Sequence, residues 1–192
     1  MKKLVVAITG ASGSLYAARL LHWLRQLRQT TPLEVGLVLS ENALTVWEWE
    51  VGAPFPEEFP CYDRKDYFAP FASGSAQYEA MVIIPCSMGT VGRLAAGISD
   101  DLIGRAADVM LKERRKLILV PRETPLHAGH LENLLRLAQL GAYIVPAMPA
   151  FYSRPHSIEA LVDTVVFRVL DLIGLPMAQA ARWGSEPPGA SV

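Results

Sequence analysis

The chain contains 192 residues, of which 51% are hydrophobic and 19% are charged. This proportion supplies enough apolar side chains for a folded core and excludes a disordered or highly charged linker. The 18 lysines and arginines nearly balance the 19 acidic residues, giving a formal charge of −1, so no overall basic field predicts binding to nucleic acid. No apolar stretch approaches the ~18 residues of a membrane span. Two cysteines, Cys61 and Cys86, predict a reducing, cytoplasmic environment rather than a disulfide framework.

Short apolar runs alternate with longer helical patterns along the chain. The runs predict buried strands at residues 4–9, 35–39, 80–84, 117–120 and 143–145, because strands covered on both faces are continuously apolar. Helical spacing predicts helices at residues 14–28, 41–51 and 100–114, another opening at Thr124-Pro125, and a last one opening near Ser157. This alternation predicts a Rossmann-like α/β fold, in which a doubly wound, mainly parallel sheet forms a single domain over residues 1–184.

Two segments depart from this alternation. Residues 52–79 are broken by prolines and glycines and form a predicted loop whose length is typical of a lid, an interaction surface or a disordered segment. Residues 185–192 are rich in glycine, proline and serine and predict a flexible tail.

A turn bounded by glycines follows the first predicted strand. Residues 10–13 read Gly-Ala-Ser-Gly, and glycine permits both a sharp turn and the close approach of a ligand. Free N–H groups at the start of the next helix favour an anion such as phosphate. The dinucleotide fingerprint requires G-x-G-x-x-G, and only G-x-x-G is present, so a nicotinamide cofactor is not indicated. The alternative is a tight turn without a ligand.

Ser40 and Glu50 flank the second predicted helix. Ser40 follows the second strand, where its side chain is expected to cap the helix at residues 41–51. Glu50 continues the apolar face of that helix, and burial there would raise its pKa unless it is paired. Taken alone, Glu50 is interpreted as a surface carboxylate.

Small and hydroxylated residues follow the third predicted strand. The run from Pro85 to Thr90 reads Pro-Cys-Ser-Met-Gly-Thr, a composition that could wrap a phosphate or the polar edge of a ring at a strand-to-helix junction. Cys86 is interpreted as a small buried hydrophobe, because a nucleophilic thiol needs an activating base that the local sequence does not supply.

Charged residues are concentrated after the third and fourth strands. Helical spacing places four of them on one face of the helix at residues 100–114, namely Asp101, Arg105, Asp108 and Lys112. A solvated series of ion pairs is the favoured interpretation, and phosphate binding is the alternative. Arg122 and Glu123 lie between two prolines at the end of the fourth strand, where α/β sheets place ligands. They could hold a phosphate and move a proton, or simply pair with each other.

The last part of the chain contains a cation and two aromatic residues of interest. Arg168 interrupts the apolar stripe of the last predicted helix, and a buried arginine needs an anionic partner, which could be a ligand, an acidic side chain or another subunit. Tyr152 and Trp183 could pack against an apolar or cationic substrate. Each alone is equally typical of a core or interface aromatic.

Taken together, these motifs resemble those of the flavin prenyltransferases of the UbiX type. The matching segments are residues 10–13, 85–90 and 102–125, His130-Leu131-Glu132-Asn133, Phe151-Tyr152 and Arg182-Trp183-Gly184. They occur in the family's order across residues 3–184. The block around Arg105 to Glu123 is highly specific, whereas the first glycine turn is generic.

The resemblance implies an enzyme that joins the dimethylallyl group of dimethylallyl phosphate to N5 and C6 of reduced FMN without a metal. The prenylated FMN would then serve a UbiD-type decarboxylase. A homo-oligomer is also implied, a dodecamer built from trimers, with sites between subunits. The FMN-binding residues implied are Gly10, Ala11, Ser12, Ser40, Ser87, Met88, Gly89, Thr90 and Arg122. The substrate-binding residues implied are Arg105, Lys112, Glu123, Tyr152, Arg168 and Trp183, and the catalytic residues are Ser12, Glu50 and Glu123. Met88 replaces a small polar residue of many relatives, which implies contact with FMN through its backbone.

Two alternatives use the same fold. Flavin-dependent decarboxylases of cysteine-containing substrates typically carry a Pro-Ala-Ser-Ala-Asn-Thr motif whose asparagine binds a carboxylate, and Gly89 stands at that position here. The other alternative is an FMN-binding accessory subunit without activity of its own, which the sequence alone does not separate from the enzyme.

Overall fold

The predicted parallel sheet is present, with one strand more than the sequence indicates. The structure is a computed structural model that describes residues 1–184, so the tail predicted at residues 185–192 lies outside the described residues. The strands are β1 (Lys2–Ile8), β2 (Leu33–Leu39), β3 (Cys61–Tyr62), β4 (Ala80–Cys86), β5 (Lys116–Pro121) and β6 (Tyr143–Ile144). Their order in the sheet is β3-β2-β1-β4-β5-β6, and every neighbouring pair is parallel.

Helices connect the strands and cover both faces of the sheet. They are α1 (Ser14–Arg28), α2 (Ala43–Val51), α3 (Met88–Ala95), α4 (Leu102–Lys112), α5 (Ala128–Gln139) and α6 (Ile158–Leu172). The chain moves outward from β1 to β3, returns to β4 beside β1, and continues to β6 on the other side. This doubly wound order confirms the Rossmann-like prediction and creates a crevice at the carboxyl ends of β1 and β4. Within the described residues, no helix is long and apolar enough to cross a membrane.

Two apolar layers explain why the strands are hydrophobic along their whole length. Leu24 of α1 and Val166 of α6 pack in the layer on one face of the sheet. Val91 of α3 and Met110 of α4 pack in the layer on the other face. The side chains of β1 alternate between the layers, with Leu4, Val6 and Ile8 in the first and Val5 and Ala7 in the second. Burial of all five residues at positions 4–8 stabilises this central strand.

Two predicted helix starts are wrong. Ser40 does not cap α2, because the helix begins at Ala43 after Asn42, without a side-chain cap. The N–H of Ser40 instead donates to the carbonyl of Ile8 at 2.9 Å, which continues the β1–β2 ladder by one residue. The helix predicted to open at Thr124-Pro125 begins later, at Ala128. His127, with the extended backbone typical of an N-cap position, precedes it.

The long segment at residues 52–79 is ordered. It contains β3 at the edge of the sheet and two short 3-10 helices, Pro70–Ala72 and Gly74–Ala76. Phe59, Phe71 and Tyr78 are buried in the core, and the hydroxyl of Tyr78 donates to Glu34 at 2.7 Å. The apolar anchors explain why this proline-rich segment has a fixed position despite its lack of long helices or strands.

A buried ion pair joins α1 to α6. Arg19 donates through Nε and Nη2 to both carboxylate oxygens of Asp163, at 2.8 and 2.6 Å. Asp163 is only 6% exposed, and the Arg19 guanidinium lies 5.3 Å from the ring centroid of Trp23. Loss of either partner would leave the other charge buried and uncompensated, which is far more costly than loss of a surface pair.

We expect Asp163→Asn to lower the free energy of unfolding by about 3 kcal/mol, because Arg19 would lose its counter-charge. Glu58→Gln is the matched control, since it removes an exposed pair with Arg25 and should cost less than about 1 kcal/mol. Urea unfolding followed by circular dichroism measures both. Equal losses would show that the α1–α6 pair contributes no more than a surface pair.

Candidate functional site

A small polar cavity of about 350 Å³ lies at the carboxyl ends of β1, β2 and β4. Its walls include four of the residues expected to bind FMN, namely Gly10, Ser40, Ser87 and Thr90. The Ser87 hydroxyl accepts a hydrogen bond from the Thr90 N–H at 3.3 Å and lies 3.0 Å from the Thr90 hydroxyl. Ser87 therefore caps α3, and this helix presents its N-terminus and two hydroxyl groups to the cavity.

Gly10 lies on the wall of this cavity and Gly89 lies in the first turn of α3 beside it, while the Met88 side chain faces away. A Cβ at Gly10 would lie 2.8 Å from the Cβ of Asn42, whereas a Cβ at Gly89 would meet nothing closer than 3.9 Å. Gly89 thus leaves the first turn of α3 open. The Met88 side chain is buried in the core, which leaves its backbone for a ligand, as expected. Hydroxyl groups, a helix N-terminus and open space fit the phosphate of FMN.

Glu50 occupies the N-terminus of α1. Its Oε2 accepts hydrogen bonds from the N–H groups of Gly13 and Ser14, at 2.8 and 2.7 Å. The expectation that this helix offers free N–H groups to a phosphate is therefore wrong at both positions. The interpretation of Glu50 as a surface carboxylate is confirmed, since the residue is exposed, but its hydrogen bonds to the start of α1 were not predicted. Glu50 is 37 residues away from Gly13 in the sequence, so local patterns could not reveal the contact.

The same contacts hold Glu50 ionised at neutral pH. Burial alone would raise the pKa of Glu50, but hydrogen bonds from the Ser12 hydroxyl and from the N–H groups of Gly13 and Ser14 outweigh it and hold the pKa below the usual 4.5. The positive end of the α1 dipole favours the carboxylate in addition. Glu50 can therefore accept a proton at this position but does not carry one at rest.

We expect Glu50→Ala to destabilise the fold by about 1 kcal/mol at neutral pH, because α1 loses its cap. A lowered carboxyl pKa stabilises the folded state above the unfolded value of 4.5 and ceases to do so as the pH falls through the folded value. The difference from the parent protein should therefore shrink on acidification. Urea unfolding across this pH range measures it, with Glu48→Ala on the same helix as control. A pH-independent difference would contradict the assignment.

A larger cavity of about 940 Å³ lies beside α6, and three of the expected substrate-binding residues line it: Tyr152, Arg168 and Trp183. The rings of Tyr152 and Trp183 pack edge to face with centroids 5.5 Å apart, and the Tyr152 hydroxyl donates to the carbonyl of Ala181 at 3.4 Å. An aromatic wall and a cation thus face the same space.

The expectation that Arg168 is buried is wrong. Arg168 is exposed, because the buried stripe of α6 passes through Val162, Val165, Val166 and Val169 instead. The guanidinium therefore needs no acidic partner inside the core and is available to a ligand in the larger cavity.

Arg122 and Glu123 lie at the end of β5 and are both exposed. The N–H of Arg122 donates to the carbonyl of Cys86 at 3.2 Å, and its charge opposes the burial that raises the pKa of Tyr16. Glu123 accepts a hydrogen bond from the N–H of Thr124 at 3.0 Å. No ion pair between Arg122 and Glu123 is found among the described residues, so both charges face outward.

Arg105 and Lys112 do not reach either cavity within one chain. Arg105 donates to the carbonyl of Ala72 at 2.9 Å and to Asp108 at 3.2 Å, while Lys112 pairs with Glu113. The predicted four-residue series of ion pairs is thus reduced to one pair, because Asp101 caps α4 by accepting from the Gly104 N–H. The cations expected around the prenyl phosphate are therefore divided between α4 and α6.

Three cations on the walls of the small cavity were not predicted from the sequence, namely Arg64, Lys65 and Arg93. Arg64 and Lys65 belong to the segment at residues 52–79, from which no function was predicted, and their adjacent charges were the available signal. The prediction for Cys86 is confirmed, since the side chain is fully buried and burial raises the pKa of its thiol to about 12. Across residues 1–184, no group of three or more His, Cys, Asp or Glu residues could hold a metal ion.

A doubly wound sheet with a phosphate-sized polar cavity at its switch point is typical of nucleotide-binding and flavin-binding domains. Residues 1–170 match the Flavoprotein family. The chain therefore belongs to the flavoproteins.

Individual relatives narrow this assignment. The flavin prenyltransferase UbiX of Methanocaldococcus jannaschii is 43% identical over 187 residues, which cover 95% of this chain and 99% of that protein. A dodecameric FMN-dependent UbiX-like decarboxylase from Escherichia coli O157:H7 is 44% identical, with a TM-score of 0.86 over 95% of this chain and 100% of that one. AnUbiX (PadA1), solved with FMN and dimethylallyl pyrophosphate, is 40% identical, with a TM-score of 0.88 over 96% and 98%. Within the flavoproteins, this chain is a member of the UbiX-type flavin prenyltransferases.

Proposed function

We propose that this protein joins the dimethylallyl group of dimethylallyl phosphate to N5 and C6 of reduced FMN. The observation that carries the proposal is that seven of the residues implied by the resemblance line two cavities, four of them on one and three on the other. One cavity is small, polar and built at the switch point of the sheet. The other is larger, with an aromatic wall and a guanidinium. The first suits the phosphate of a flavin, and the second suits an apolar donor with an anionic leaving group.

The small cavity and its surroundings would hold FMN. Ser87 and Thr90 offer hydroxyl groups, Gly89 offers an open backbone at the start of α3, and Ser40 closes the cavity from the end of β2. Backbone groups of Ala11 and Met88 and the guanidinium of Arg122 complete the proposed set. When bound, reduced FMN supplies two nucleophilic atoms, N5 and C6.

The larger cavity would bind the prenyl donor and stabilise its ionisation. The bond between C1 and the phosphate oxygen breaks, and the phosphate leaves with the electron pair. Arg168 stabilises the leaving dianion through charge-assisted hydrogen bonds. The faces of Tyr152 and Trp183 stabilise the developing allylic cation and exclude water.

Two carboxylates would accept and donate the protons that move during the reaction. The ionised Glu50 accepts hydrogen bonds from Ser12 and from the start of α1, so the Ser12 hydroxyl would pass its proton to Glu50 while taking one from the bound flavin. Glu123 lies exposed at the carboxyl edge of the sheet and would exchange a proton with the departing phosphate. Both groups remain oriented by backbone N–H donors.

We also propose that complete sites form between subunits of a homo-oligomer. Arg105 and Lys112 lie away from Arg168 within one chain, and a neighbouring chain could supply them to the larger cavity. The E. coli relative is dodecameric, which supports a dodecamer here. The product would pass to a UbiD-type decarboxylase, and the two free cysteines support action in the reducing cytoplasm.

The direct test is anaerobic incubation of the purified protein with reduced FMN and dimethylallyl phosphate, followed by mass measurement of the extracted flavin. A gain of one C5 unit is expected. FMN binding without this gain would favour an accessory subunit. Release of carbon dioxide from a cysteine-containing peptide would favour a decarboxylase, the activity named for the E. coli relative, although Gly89 lacks the amide that such enzymes use.

We expect Arg168→Ala and Lys112→Ala each to abolish most prenyl transfer while leaving FMN binding intact. Mixed oligomers of the two inactive chains should regain activity, because roughly a quarter of the sites would receive both native residues from different subunits. Flavin mass measured on co-expressed, doubly tagged assemblies tests this. Oligomers that mix Arg168→Ala with Tyr152→Ala are the control, since both residues line the larger cavity of one chain. Recovery in the control alone would contradict the proposed division.

A further inference from the structure

Arg93 lies at the small cavity but is not among the residues implied by the resemblance. It is located one turn after Thr90 on α3, and its Nη2 donates to the Thr90 hydroxyl at 3.3 Å. Its Nη1 lies 3.9 Å from the point where a Cβ of Gly89 would be. These two distances place the guanidinium over the open first turn of α3, next to the capping hydroxyl groups.

The other cations and carboxylates of the cavity already have partners. Arg64 pairs with Glu41 at 2.9 Å, and the ammonium group of Lys65 donates to the backbone carbonyl of Asp100 at 2.8 Å. Asp101 accepts from the Gly104 N–H at 2.8 Å as the cap of α4. These contacts engage four of the six charged side chains that line the cavity, including Glu41, and leave one pair to consider.

The remaining pair, Arg93 with Asp100, is loose. Arg93 Nε and Asp100 Oδ1 are 3.9 Å apart, and the two side chains are 43% and 60% exposed. An exposed ion pair of this length contributes little. Of the three cations that line this cavity, Arg93 therefore loses the least stabilisation when it leaves its present partner to bind a stronger anion.

We propose that Arg93 binds the phosphate of the flavin and that Asp100 competes with the phosphate for it. This inference rests on the proposed function and adds a recognition residue to it. A phosphate dianion at the α3 N-terminus would meet the Gly89 backbone and the Ser87 and Thr90 hydroxyl groups on one side. Arg93 would close the other side with two N–H donors, a geometry that guanidinium groups provide better than ammonium groups.

Comparison of FMN with riboflavin isolates this contact, since the two flavins differ only in the phosphate. We expect Arg93→Gln to raise the Kd for FMN about tenfold, within the usual range for one charge-assisted contact, and to leave the Kd for riboflavin unchanged. Asp100→Asn should lower the Kd for FMN several-fold, because the competing charge is removed. Quenching of flavin fluorescence by the full-length protein and its variants measures each of these constants.

Arg64→Gln is the matched control, because this arginine lines the same cavity but is engaged with Glu41. A larger loss of FMN affinity in Arg64→Gln than in Arg93→Gln would overturn the assignment. Equal losses of FMN and riboflavin in Arg93→Gln would also overturn it, since they indicate a structural role. Failure of the proposed function can be told apart from failure of the Arg93 assignment. Measurements on the parent protein alone show whether it binds flavin and whether it prenylates FMN, before any variant is compared.

Discussion

The hydroxyl of Thr9 ties together the two strands on which the candidate site depends. It donates to the carbonyl of Pro85 at 2.7 Å and accepts from the N–H of Ser87 at 2.9 Å. Thr9 is 1% exposed, so the bonds are shielded from water and stronger for it. Because β1 and β4 are neighbours at the switch point, this bridge fixes the starting points of α1 and α3 relative to each other.

The partial positive charge at the helix N-terminus faces different groups in the two helices that start at this edge. The N-terminus of α1 receives a carboxylate from α2, through the bonds from Gly13 and Ser14 to Glu50. The N-terminus of α3 receives only the neutral hydroxyl of Ser87 and keeps an open turn at Gly89. A helix N-terminus without a negative group favours an external anion. The phosphate of a flavin therefore suits α3, whereas the N-terminus of α1 is already occupied by the carboxylate of Glu50.

The sequence was sufficient for those features that depend on local pattern. Apolar runs located five strands, the last helix opens beside Ser157 as predicted, and Cys86 is buried. Features that depend on distant contacts escaped detection. The two-residue strand β3 is held by its neighbour β2 and by Phe71 rather than by its own pattern. Glu50 on α2 accepts from N–H groups at the start of α1, and Arg168 is exposed because α6 buries the face that carries Val162, Val165, Val166 and Val169.

In the segment at residues 52–79, the residues that hold it in the core differ from those that face the small cavity. Phe59, Phe71 and Tyr78 hold it in the core, while Arg64 and Lys65 stand on the wall of the small cavity. Substitutions at the latter two positions change no buried side chain, and so their energetic cost is small. Natural variation at these two positions can therefore change the charge around the small cavity while the apolar anchors of the segment stay in place.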